Sequence, residues 1–378
     1  MTAAPAEPAW LLLEPYYGGS HRHLVDGLTA RLGVPVELWT LPPRSWKWRM
    51  HGAAMVFARR FRREGARLAG LRGIFASSLL DAAALRGLLP AQGRRLPLLF
   101  YCHENQLTYP VRTADRRDEH YAWVQVQSAL AADRVLWNSA FNQESFLEAL
   151  PRFVRRMPDA RPRGLAEAVA ARSEVLPVPL PVAEIGVALA GEPARTGPCR
   201  IVWNHRWEHD KGPELMVSAL VELAEQGLPF EVAVLGPAFE RRPAAFERAQ
   251  ELLGERIVAW GHVEDRAAYL RELARSDVAL STARHEFQGL AVLEAAAAGG
   301  VPLVPDALAY REIWPPELRY GEGTLTAALR ERIDQLERWR AYDPRPFARP
   351  FDWSALLPRW REVLSESGAE SEAESGLG

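Results

Sequence analysis

Short apolar runs alternate with longer amphipathic stretches along nearly the whole chain, and the alternation predicts the architecture. Residues 10–13, 36–40, 74–77, 97–102, 134–138 and 174–181 read as strands, with helices over 23–32, 79–88 and 119–131. Pro177, Pro179 and Pro181 close the last run. Residues 183–198 are small and contain glycine and proline, the composition of a linker. The pattern then starts afresh: strands over 200–204, 230–236, 257–260, 277–281 and 301–304 alternate with helices over 213–226, 243–253, 264–275 and 291–298. Amphipathic stretches 324–339 and 351–363 close the chain. Such alternation argues for parallel sheets covered by helices on both faces. The predicted fold class is α/β, with two Rossmann-like domains facing a central cleft at the carboxyl ends of their strands. The expected boundaries are 1–182 for the first domain, 183–198 for the linker and 199–345 for the second domain, with a closing helix over 346–363.

Composition narrows the class. A chain of 378 residues exceeds what one core usually fills. Hydrophobic content of 48% and charged content of 25% are those of an ordinary soluble protein. Cys102 and Cys199 are far apart and form no CxxC, which argues against a disulfide framework or a zinc site and fits a reducing cytosol. No run of about 18 apolar residues is present and residues 1–8 read as a loose leader, so no membrane span and a cytoplasmic location are expected.

Charge is unevenly spread. Between Arg44 and Arg72 stand nine bases, among them Arg59, Arg60, Arg62 and Arg63, against the single acid Glu64, with Trp46, Trp48, Phe57 and Phe61 interleaved. Arg152, Arg155, Arg156, Arg161 and Arg163 surround Asp159. Residues 364–378, with Glu366, Glu370, Glu372 and Glu374, read as a disordered acidic tail.

Several loops at predicted strand ends carry candidate chemistry. Glu286 lies in the loop after strand 277–281 and Glu294 in the following helix, seven residues between them. The backbone N–H groups of Gly289 and Leu290 at that helix start suit an anion, and the two carboxylates suit neutral hydroxyls, as in a nucleotide-sugar. A capping Glu and a solvated helix Glu describe the same spacing. Arg206 and Lys211 follow strand 200–204 and can neutralise a diphosphate leaving group without a metal, or be surface cations beside Glu208 and Asp210. His262 and Val263 end a later strand, where backbone can meet a purine edge or simply turn. In the first half, Gly18 and Gly19 permit close backbone approach to a ligand, or a tight turn. His103, Glu104 and Asn105 follow strand 97–102. His103 has no second ligand at i+3 or i+4, which argues against a metal there.

Together these motifs resemble a known family. Arg206 and Lys211, followed by Gly212, with Glu286-x7-Glu294, look like the donor signature of retaining family-4-type glycosyltransferases of GT-B fold. Residues 15–21, 75–80, 101–110 and 137–146, with 203–212 and 285–294, are similar to the tRNA-queuosine α-mannosyltransferase family, over roughly residues 10–314. The resemblance implies that the first domain receives tRNA and the second binds the donor. It assigns Arg206 and Lys211 to the donor diphosphate, Glu286 to hexose hydroxyls, Glu294 to ribose and Gly18-Gly19 to phosphates. His262, Val263, Gly289 and Leu290 complete the donor set. His103 matches an active-site histidine; His21, Asn105 and the four arginines of residues 59–63 are expected on the acceptor side. The implied reaction moves mannose from GDP-mannose onto the cyclopentene-diol of queuosine in the tRNA-Asp anticodon loop, with no cofactor or metal. The family's Glu-Gly-Phe-Gly order is here Glu286-Phe287-Gln288-Gly289, which bears on the choice of sugar. A lipid or small-polyol acceptor, or a non-catalytic RNA-binding protein of this fold, are the alternatives.

Overall fold

The computed structural model describes residues 9–64, 68, 70–109, 118–237 and 244–375. The expected leader 1–8, Arg67, Pro110, Pro243 and the last three residues lie outside that range. The chain divides into two compact units, one formed up to Pro179 and from Leu356 on, the other by Leu180–Ala355.

The first unit is a six-stranded parallel sheet of β1 (Ala9–Glu14), β2 (Val36–Thr40), β3 (Leu71–Ser77), β4 (Leu98–Cys102), β5 (Arg134–Trp137) and β6 (Ser173–Val175), in the order β2-β1-β3-β4-β5-β6. Side chains alternate across it. Leu11, Leu13, Ile74, Ala76, Phe100 and Trp137 pack with Ala54, Phe57, Phe61, Val126 and Phe146 of the helices covering one face. On the other face Phe75 and Tyr101 meet Trp360, at ring distances of 6.0 and 5.4 Å. Trp360 belongs to the helix Trp353–Ser375, so the last stretch of chain completes this unit. Arg359 bonds Glu174 at 2.5 Å and Arg361 bonds the carbonyl of Leu32 at 3.0 Å in the same place. The same helix, with Trp360 and Val363 buried, runs on into the segment read as an acidic tail.

The second unit holds β7 (Cys199–Asn204), β8 (Phe230–Leu235), β9 (Ile257–Gly261), β10 (Val278–Leu280), β11 (Val301–Pro305) and β12 (Arg319–Tyr320), also parallel, in the order β12-β11-β10-β7-β8-β9. Val202, Ala233 and Leu235 face one helical layer, and Ile201, Trp203, Val232 and Val234 the other. The expected linker contains the helix Val182–Ala188, whose Val182 and Ile185 bury against the layer with Val292 and Ala296. Two apolar residues three apart were too short a period to announce it.

Each sheet reverses its strand order once. The reversal falls at β1/β3 in the first unit and β7/β10 in the second. Crevices outside the carboxyl ends of strands at such points are where open α/β sheets bind ligands.

Candidate active site

At the β7/β10 reversal the chain leaves β7 through Asn204 and His205, passes Arg206, and makes a short turn over His209–Lys211. Gly212, with φ +62, then starts the helix Pro213–Glu225; a Cβ there would lie 2.2 Å from the carbonyl of Thr282. That approach lets Thr282 accept from the Trp203 indole at 3.0 Å and donate to the Lys211 carbonyl at 2.9 Å. The loop after β10 is thereby fixed against the loop after β7. Lys211 is buried, with Nζ 3.1 Å from Glu286 Oε2, 3.1 Å from the His285 carbonyl and 3.3 Å from Asp210 Oδ2. Burial alone would lower its pKa, but Glu286 and Asp210 outweigh this and raise it. For Glu286, burial pulls upward, and Lys211 overcomes it to hold the carboxyl at about 2. His205 is driven to about 4 by burial and by Lys211, so it stays neutral.

Glu286 Oε1 also accepts from the Phe287 N–H at 3.1 Å. Gly289, at φ +78, begins the helix Leu290–Ala297, and a Cβ there would stand 2.8 Å from the Tyr310 ring. The departure from the family's loop order thus places Phe287 in the core, 4% exposed, and leaves the glycine where the backbone needs it. Glu294, one turn into that helix, bonds Arg266 at 2.5 Å and Tyr269 at 3.3 Å. Asn204 ties this group to β7 by donating to Tyr269 Oη at 3.0 Å and the Ala291 carbonyl at 2.8 Å. Arg206 is exposed and pairs with Glu208 at 3.1 Å. His262, exposed, and Val263, half-buried, follow edge strand β9, two strands from β7 and so about 10 Å away. The structure therefore joins Lys211 to Glu286 directly and keeps Glu294 in a neighbouring network. Asn204, Tyr269 and Arg266 were not singled out by sequence; Asp210 was noted only as an acid beside the two cations, and here it faces the Lys211 ammonium.

At the β1/β3 reversal stands a second buried group. Glu14 ends β1, Ser77 ends β3, and His103 and Glu104 follow β4. His21 rises from the first turns of the helix Gly19–Arg31. Its Nδ1 is 3.1 Å from Glu14 Oε1 and its Nε2 is 3.5 Å from Glu104 Oε2. Ser77 donates to the other oxygen of Glu14, and the Tyr16 N–H reaches Glu14 at 2.7 Å. The imidazoles of His21 and His103 stack, 3.9 Å between centroids and 24° between planes. Burial lowers the pKa of His21, but Glu14 and Glu104 raise it to about 10; burial, then His21, drives that of His103 well down. Glu14, His21 and His103 offer ligand atoms within 4.8 Å of one another, a grouping the local spacing of His103 did not reveal. Stacked rings direct their in-plane lone pairs side by side rather than toward one point, and both His21 nitrogens already face carboxylates. The geometry therefore suits a charge pair better than metal coordination.

Residues 103–108, at the start of the loop after β4, are held by side-chain hydrogen bonds. Gln125 bonds the Gln106 N–H at 2.6 Å and the Glu104 carbonyl at 2.8 Å, and Asn138 bonds the His103 carbonyl at 2.9 Å. Asn105 is buried and spends its amide on Ser145 at 3.0 Å and on the N–H groups of Leu107 and Thr108. These bonds shape the loop that carries His103 and Glu104. Gly18 is needed for packing, since a Cβ would lie 2.6 Å from Pro43; Gly19 has φ +53 and open space.

The basic stretch forms the helix Trp46–Glu64, burying Met50, Ala53, Ala54, Phe57, Ala58 and Phe61. Trp48, Met55 and Val56 are exposed, Trp48 by 75%, and Arg59, Arg62 and Arg63 share the outward side. Arg60 differs: it lies 4.3 Å over the Trp39 ring and pairs with Glu64 at 2.9 Å and Glu37 at 3.8 Å. These contacts tie it to β2, and its side chain remains 37% exposed. Among the described residues no helix is long and apolar enough to cross a membrane.

Two parallel sheets with these strand-end sites are the GT-B architecture. The chain is similar to sucrose-phosphate synthase from Thermosynechococcus elongatus (TM-score 0.68, 17% identity, 96% of this chain and 100% of that one). It is also similar to Anabaena HepE in complex with UDP (TM-score 0.65, 16% identity, 95% and 100%). Residues 198–335 match the family described as glycosyl transferases group 1, and the protein is a glycosyltransferase. More narrowly, residues 9–180 match the N-terminal family of tRNA-queuosine alpha-mannosyltransferase. The Drosophila melanogaster tRNA-queuosine alpha-mannosyltransferase is 36% identical over 97% of this chain and 99% of its own length. The chain belongs to that family.

Proposed function

We propose that this protein moves α-mannose, with retention, from GDP-mannose to a cyclopentene-diol hydroxyl of queuosine in the anticodon loop of tRNA-Asp, in the cytoplasm. Family membership supports the reaction class, and the Lys211–Glu286 pair at the β7/β10 reversal is the observation that carries the donor side. Lys211 is a cation fixed in a low-dielectric setting, where it stabilises charge far more than it would in water. Its three donors now face Glu286, Asp210 and the His285 carbonyl. An incoming diphosphate replaces one of these, with Arg206 supplying a second cation from the open side. Glu286, kept ionised, accepts from hexose hydroxyls. Glu294 takes the ribose, His262 and Val263 the base, and the helix start at Gly289 and Leu290 the phosphate. The acceptor attacks from the face that the diphosphate leaves, so no protein nucleophile and no metal enter this reading. His103 orients a reacting hydroxyl.

On the acceptor side the outward stripe of the helix Trp46–Glu64 suits RNA. Arg59, Arg62 and Arg63 match phosphates, and Trp48 offers a face on which an unstacked base can lie. The deciding experiment incubates queuosine-containing tRNA with GDP-mannose, GDP-fucose and UDP-hexoses in turn and analyses the digests by mass spectrometry. The expected result is a hexose on queuosine from GDP-mannose alone. Transfer from another donor, or none to tRNA, overturns the assignment.

A further inference from the structure

The group at the β1/β3 reversal contains more than the transfer reaction as described uses. Both ring nitrogens of His21 face carboxylates, Glu14 at 3.1 Å and Glu104 at 3.5 Å. A neutral imidazole has one N–H, so it satisfies only one of these; the imidazolium satisfies both. Glu14 is completed by Ser77 and the Tyr16 N–H. Glu104 is not. Its Oε1 is buried without a hydrogen-bond partner, and so are both ring nitrogens of His103, which is 6% exposed. Buried polar atoms left this way cost stability unless a ligand fills them. Stacking against His21 disfavours a second positive charge on His103, which leaves that ring one donor and one acceptor.

The unfilled set is thus one carboxylate oxygen, one N–H and one ring-nitrogen lone pair, side by side on a loop pinned by Gln125 and Asn138. Among the described residues it has no spare cation for a phosphate. Neutral vicinal hydroxyls fit it: one donates to Glu104 and its neighbour exchanges hydrogen bonds with His103. We propose that Glu104 is a hydroxyl-binding carboxylate for a polyol ligand, and that His21, clamped as an imidazolium between Glu14 and Glu104, is the positioning residue that aims it beside His103. Both the hexose of the donor and the diol of the acceptor have this chemistry, and the proposal rests on the transfer reaction given above. The other groups facing His21 are the hydroxyl of Ser77 and the rings of Tyr16 and His103; His23, on the same helix, acts on His103, and its Nε2 is engaged by the Pro179 carbonyl at 2.7 Å.

The test measures KM for GDP-mannose and for queuosine tRNA separately in wild type, Glu104→Gln and His21→Gln. Glu104→Gln is expected to raise one of the two KM values by about tenfold or more while the other moves less than about twofold. The affected substrate names the bound polyol. His21→Gln is expected to raise the same KM. Unchanged KM values, or a fall in kcat alone, overturn the proposal. Independently, the full-length wild-type protein labelled with 15N-histidine is read by NMR. His21 doubly protonated at pH 7.5 and 8.5, with His103 neutral, supports the clamp; a neutral His21 at pH 7.5 overturns it, even where the variants fail to fold. Absence of wild-type transfer from every donor counts against the reaction and leaves the clamp to the spectra.

Discussion

The two units solve one problem with different parts. At the strand-order reversal of each sheet a buried cation is held between two carboxylates: His21 between Glu14 and Glu104, Lys211 between Asp210 and Glu286. The lysine group is closed, every donor of the ammonium facing an oxygen, and opens only by exchanging a partner. The histidine group is unfinished, with Glu104 Oε1 and the His103 nitrogens unmatched. A flexible point charge suits a ligand that brings its own negative charge, and a rigid flat cation suits aiming a carboxylate at something neutral.

The sharpest way to break the comparison is Lys211→Met. It leaves Glu286 and Asp210, whose side chains are 18% and 10% exposed, uncompensated, so stability by urea unfolding should fall by about 3–5 kcal/mol, and hexose transfer should drop by at least about 100-fold. Next comes pH. The His21 pKa is raised to about 10, so its contribution is complete below the ordinary 6.5 and is lost as pH rises toward 10. Glu286, depressed to about 2, contributes above its ordinary 4.5 and loses that as pH falls toward 2. Thermal melts of wild type and His21→Gln should therefore converge at high pH, and those of wild type and Glu286→Gln at low pH. A gap that stays constant in either series removes that ion group from the account.

Smaller effects separate the glycines. Gly289→Ala meets the Tyr310 ring as well as φ +78 and should cost about 2–3 kcal/mol, while Gly19→Ala, with φ +53 and open space, should cost about 1 kcal/mol. Equilibrium unfolding checks both. Least in energy is the RNA surface: Arg59, Arg62 and Arg63 to Ala together should weaken tRNA binding and flatten the log–log salt slope by about 2–3. Arg60→Ala should leave the slope unchanged and lower the melting temperature instead.

How far the sequence spoke follows from distance along the chain. The strand Val36–Thr40 and the helix Glu119–Ala131 were legible to the residue, because hydrophobic period and the Asp118 cap are local signals. Lys211 and Glu286 were both visible, but not that they touch, since 75 positions separate them. Glu14 and Ser77 went unnoticed beside His21 for the same reason; nothing near residue 14 advertises a partner 63 positions on. Arg60 read as one of four equivalent surface bases until Trp39 and Glu37, from a preceding strand, claimed it.

The return of the chain from Leu356 onward to the first unit sets an order of events during synthesis. As the ribosome delivers the polypeptide, the later half has all its strands before Trp360 emerges to cover Phe75 and Tyr101. The half made first is the one finished last, and a message cut short near its end would release a sheet with Phe75 and Tyr101 uncovered.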